Sequence, residues 1–126
     1  MSGLQESLRR FLAVDGVRTV AVIDIATGMI VRSVGLPDPE LPVTAACVAD
    51  EARAARSALG RAVDADGQPD DLAEITTVTG SRLHVSQILC AAPGEGLLLF
   101  VDLDRTRSNL GLAALRVDQL APAVLA

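Results

Sequence analysis

GLLLFVDLDRTRSNLGLAALRVDQL, residues 96–120, joins an apolar strand directly to an amphipathic helix. Leu97, Leu98, Leu99, Phe100 and Val101 are apolar without alternation, so a strand here is covered on both faces and lies inside a sheet. Asp104 suits an N-cap, and Leu110, Ala113, Ala114, Val117 and Leu120 recur at helical spacing, which lays the following helix on that sheet. No catalytic side chain interrupts the run, which points to packing and partner binding.

Upstream, Leu72–Thr79 reads as a third strand and Arg82–Ala91 as a fourth, joined by a tight turn at Gly80-Ser81. Pro93-Gly94-Glu95-Gly96 then leads into the fifth strand. Nearer the N-terminus, Val17–Ile25 and Met29–Val34 form a hairpin around Thr27-Gly28. Ser2 caps a short first helix that runs to about Leu12, with Leu4, Leu8, Phe11 and Leu12 on its inner side. The segment Gly35–Pro42, with three prolines, is a loop. Val43 to about Val63 is free of proline and rich in alanine, predicting a long helix, and Asp64–Asp71 is a polar linker. The order is α-β-β-α-β-β-β-α: an α+β fold, one domain over residues 1–126, with a five-stranded antiparallel sheet and helices on both faces.

The long helix predicts an inner stripe of Val48, Ala52, Ala55, Leu59 and Ala62 and a polar stripe of Asp50, Arg53, Ser57 and Arg61. Between them Cys47, Ala49, Ala54 and Ala58 are small, so a second helix has room to approach. In the third strand Glu74, Thr76, Thr77 and Thr79 make both faces partly polar, the pattern of a sheet edge, with no proline or lysine to block pairing. These features predict a dimer in which two such edges join and two helices cross above them. Its interface residues are Ala49, Ala52, Glu74, Thr76 and Val78. The polar stripe Asp50, Arg53, Ser57 and Arg61 reads either as a solvated face or as a partner-binding surface, whose arginines suit an acidic partner or a finger supplied in trans.

Composition narrows the function. The net charge is −5, the basic residues are all arginine, Trp and Tyr are absent, and the aromatics are Phe11 and Phe100. Nucleic-acid binding wants a basic stripe and exposed rings and is disfavoured. The first residues lack a secretory pattern and no apolar run approaches a membrane span, so the expectation is a cytoplasmic protein without membrane insertion. Cys47 and Cys90 read as small buried hydrophobes.

Several chemical readings fall short. His84, with Arg82 and Ser86 on its face, has no adjacent nucleophile, and Ser81 and Ser86 lack a nucleophile elbow. Asp102 and Asp104 are two apart, as some metal ligands are, but read better as a strand end and a helix cap. Gly94-Glu95-Gly96 precedes a strand, not a helix, and no phosphate-loop lysine follows. No catalytic, cofactor or metal residue is assigned.

LDRTRSNLGLAALRV, residues 103–117, together with VAVID at 20–24 followed by TGMIV at 27–31, resembles the Roadblock/LC7 domain of the bacterial, MglB-like kind. The resemblance spans nearly the whole chain and is most specific in the first of these segments. It implies a homodimer or heterodimer with a shared sheet and no active site of its own. It further implies a non-enzymatic regulator or scaffold that binds a small Ras-like GTPase and alters its nucleotide cycle. Because actinobacterial versions are often found in operons with a membrane sensor kinase and a small GTPase, the resemblance also implies a sensor-kinase setting as an expectation. A small-molecule sensing domain and a purely structural scaffold are the alternatives, the former requiring a cavity with convergent polar groups.

Overall fold

The computed structural model describes residues 3–60, 63–68, 70–90 and 96–125. Helix α1 (Gly3–Arg9) runs into a 3-10 turn at Arg10–Ala13, followed by β1 (Val17–Asp24), β2 (Ile30–Gly35), α2 (Leu41–Leu59), β3 (Glu74–Val78), β4 (Arg82–Cys90), β5 (Leu97–Asp104), a 3-10 turn at Arg105–Arg107 and α3 (Leu110–Leu120). The five strands form one antiparallel sheet in the order β2-β1-β5-β4-β3. The unbroken apolar run of β5 thus occupies the centre, and the polar β3 lies at an edge, as their compositions require. Ser2, Ala62 and the turn at Pro93-Gly94-Glu95 lie outside the described residues.

Helices cover both faces. On one, Leu8 and Phe11 from the N-terminal segment and Ala113 and Val117 from α3 meet Val20, Val22, Leu83, Val85, Leu99, Val101 and Leu103 of the sheet. On the other, Leu41, Ala45, Val48, Ala49 and Ala52 of α2 meet Ala21, Ile23, Ile25, Leu98 and Phe100. Alternate residues of β5 serve the two layers, the pleat sending Leu98 and Phe100 to α2 and Leu99, Val101 and Leu103 to α1 and α3.

Three local expectations change. The long helix begins at Leu41, with Pro42 in its first turn, because a proline there gives up an N–H that has no intrahelical partner anyway. Asp104 caps the 3-10 turn rather than the last helix: the Thr106 amide and hydroxyl donate to its Oδ1 at 3.0 and 2.7 Å. Those bonds hold its carboxyl below the usual range. The cap of α3 is Asn109, which accepts from the Leu112 amide at 3.0 Å. Cys47 is exposed, not buried, since it points away from the helix face defined by Leu41, Ala45, Val48 and Ala52.

Candidate functional site

The α2 layer carries the exposed features that set this protein apart from a plain α+β core. Helix α2 sits close to the first hairpin. Gly28, at φ +75°, lies where an added Cβ would come within 3.0 Å of the Ala46 Cα, so glycine there serves both the left-handed turn and the close approach of the helix. Arg53 ties the other side of the contact, its Nη1 donating to the Ile25 carbonyl and, at 3.4 Å, to that of Ala26, while Nη2 donates to Asp50. Two members of the expected polar stripe are therefore spent on each other and on the hairpin turn. Ser57 is exposed on the same helix, and Arg61 lies outside the described residues. Arg56, absent from the sequence reading, is partly buried and reaches Asp71 at 3.9 Å.

Ala49 and Ala52, expected at an interface, are turned inward. Both are 0% exposed, packed on the protomer's own sheet. The helix is so rich in small apolar residues that hydrophobicity alone leaves its orientation open, and the sheet claims the face containing these two. The small residues facing outward are Ala46, Cys47, Ala54 and Ala58, with Val43 at the N-terminal end. This outer face allows another helix close approach.

The edge strand β3 has its open hydrogen-bonding groups where the sequence placed an interface. The Thr79 amide donates to the Arg82 carbonyl and the Ile88 amide to that of Ala73, which fixes 73, 75, 77 and 79 as the positions bonded to β4. By antiparallel alternation, the backbone groups of Glu74, Thr76 and Val78 point outward from the sheet. Their side chains stand on the α1/α3 side, opposite Gln87, Val85 and Leu83. Burial pushes the Glu74 carboxyl up from its ordinary value, and the nearby Asp118 adds to the rise.

A second polar feature was only half seen in the sequence. His84 has an acid beside it: its Nε2 lies 3.1 Å from Asp102 Oδ1, while Arg82 Nη1 donates to Asp102 Oδ2 at 3.1 Å. The His84 ring also meets Phe100 edge-on at 5.0 Å. Asp102 is thus no simple strand end but a buried carboxylate, 7% exposed, between a guanidinium and an imidazole. The signal was the antiparallel register of β4 and β5, which sets His84 opposite Asp102. Among the described residues no group of three or more His, Cys, Asp or Glu is placed to hold a metal. Among those residues, too, no helix is long and apolar enough to cross a membrane.

No protein-family model matches this sequence, and no curated protein matches it. Solved structures do. The gliding protein MglB of Thermus thermophilus is 20% identical, with TM-score 0.78 over 97% of this chain and 85% of that one. An MglB with a tetrameric arrangement is 21% identical, with TM-score 0.77 over 96% and 84%. The Roadblock/LC7 domain from Streptomyces avermitilis is 18% identical, with TM-score 0.77 over 98% and 96%. At such identities the likeness establishes the fold, and that fold is the Roadblock/LC7 fold.

Proposed function

We propose that this protein is a dimeric, non-enzymatic regulator or scaffold whose α2 face receives a small Ras-like GTPase and shifts its nucleotide cycle. The observation that carries this reading is the placement of two unused surfaces on one sheet: the outer face of α2 and the outward backbone of β3. Two β3 edges related by a two-fold axis at Thr76 would pair Glu74 with Val78 of the second copy and Thr76 with itself. That pairing uses the backbone groups that β4 leaves open and continues the sheet across both copies. The interface is therefore Glu74, Thr76 and Val78, with Ala46, Ala54 and Ala58 replacing the buried Ala49 and Ala52. The two α2 helices come to lie on the same side of the joined sheet. The fold's appearance in MglB, one form of which has a tetrameric arrangement, supports the reading of an assembling module.

Arg53 acts in this account as a clamp that fixes α2 on the hairpin, because its guanidinium is already engaged. Regulation then works by holding and orienting the GTPase's own groups rather than by inserting this arginine. The test is to measure mass in solution and to mix the protein with a Ras-like GTPase encoded beside it. A dimer, co-elution in one nucleotide state and a changed hydrolysis or exchange rate are expected. A monomer, or unaltered elution and rates in both nucleotide states, would overturn it. Co-elution with unchanged rates would select a structural scaffold.

A further inference from the structure

The proposed docking leaves one built feature unused. Gly35 pairs with Thr19, Thr19 with Asp102, Asp102 with His84, and His84 with Thr77, so a whole row across the five strands on the α2 side lacks a hydrocarbon side chain. Neighbouring rows on that face carry Ala21 and Phe100, then Ile23 and Leu98, all packed under α2. The centre of this row is nonetheless buried, with Thr19 at 3% and Asp102 at 7% exposure, while Gly35 and Thr77 at its ends are exposed. A buried carboxylate costs stability unless it is paired, and Asp102 is held by partners that themselves reach solvent, Arg82 at 37% and His84 at 27% side-chain exposure.

Thr19, Asp102 and His84 of this row line a cavity of about 270 Å³, walled also by Arg18, Leu36, Pro37, Asp38 and Arg82. Of the two carboxylates, Asp102 accepts from Arg82 on Oδ2 and lies 3.1 Å from His84 Nε2 on Oδ1, and Asp38 accepts the Glu40 amide on Oδ1 at 2.9 Å. The Thr19 hydroxyl donates to the Leu36 carbonyl at 3.3 Å and holds the covering loop. Asp102 takes one N–H of the Arg82 guanidinium, a group with five donors, and Arg18 adds a second permanent positive charge. We propose that this cavity binds a small oxyanion, a phosphate or a carboxylate, with Arg18 and Arg82 as its principal ligands and His84 beside them. Guanidinium forks suit both anions. The volume falls short of the roughly 300 Å³ at which pockets for drug-sized molecules begin, which fits an ion or compact metabolite rather than a nucleotide. Asp102 is a positioning residue that holds Arg82 and His84 toward the space.

This inference does not rest on the GTPase reading, and its test requires neither partner nor dimer. The protein, labelled with nitrogen-15, is titrated with inorganic phosphate and, separately, with malonate, ionic strength being held constant with sodium chloride. Saturable shifts confined to Arg18, Thr19, Leu36, Asp38, Arg82 and His84 are expected. Arg18→Gln, which leaves the Asp102 pairing intact, should weaken binding about tenfold or more. Arg82→Gln should do the same if it folds, and Arg10→Gln, on the far α1 layer, should bind as the unaltered protein does. The tighter of the two anions identifies the source as phosphoryl or carboxylate. Shifts that fail to saturate with either anion, or that spread to Arg10, or binding unaltered in Arg18→Gln, would overturn the proposal.

Discussion

The two faces of the sheet differ in what they bury. On the α1/α3 side the contact is made by large side chains, Leu8 and Phe11 against Leu99, Val101 and Leu103, all essentially inaccessible to water. On the α2 side the helix contributes mostly alanines, and part of the sheet face is a polar row that the helix does not cover. Large aliphatic groups supply burial energy, about 1.5–3 kcal/mol for each fully buried side chain, whereas alanines allow close approach and contribute less. The first face holds the fold together; the second trades burial for an accessible helix and a charged cavity.

That contrast can be broken most severely on the α1/α3 side. Leu99→Ala should cost about 3 kcal/mol through lost burial and a residual cavity, seen as a lowered denaturation midpoint with an unchanged slope. On the α2 side the sensitivity is to size in the other direction: Ala49→Leu should overpack the helix against the sheet and cost about 2 kcal/mol, read in the same experiment. Stability unaffected by Ala49→Leu would mean that α2 is not tightly seated.

The outer surfaces sharpen the comparison. Thr76→Pro removes an outward backbone donor while leaving the bonds of β3 to β4 in place. The variant should keep its thermal transition as a monomer yet lose dimer mass in light scattering. Ala54→Arg, on the exposed side of α2, should leave stability within about 0.5 kcal/mol but abolish co-elution with the GTPase.

The smallest effect concerns Glu74, whose carboxyl is raised in the folded state, chiefly by burial and secondarily by Asp118. As pH climbs from the ordinary carboxylate range through the raised folded value, the unfolded chain loses this proton first. Stability therefore falls over that window. Glu74→Gln should flatten this fall and gain roughly a few tenths of a kcal/mol at neutral pH, because the group is largely exposed and screened. Urea titrations at several pH values below neutrality would check it.

Much of the architecture was legible because its signals are local. The unalternating run of β5 placed it at the sheet centre, the threonines of β3 placed it at an edge, and the glycine turns bounded the hairpins. The outward backbone of Glu74, Thr76 and Val78 falls on the three strand positions named as an interface, whereas the two helix positions named with them, Ala49 and Ala52, are buried. An alanine-rich helix has weak contrast around its circumference, so its period identifies the helix without fixing which side meets the sheet.

The chain's own pattern thus determined the kinds of element, their order and which strands lie inside or at the rim, since 2- and 3.6-residue periods and turn residues act over short distances. Only the tertiary structure decided the rotation of α2, the clamp of Arg53 on the hairpin, and the meeting of Asp102 with His84 and Arg82. Those depend on strand register and helix seating, which are set by packing between segments far apart in sequence.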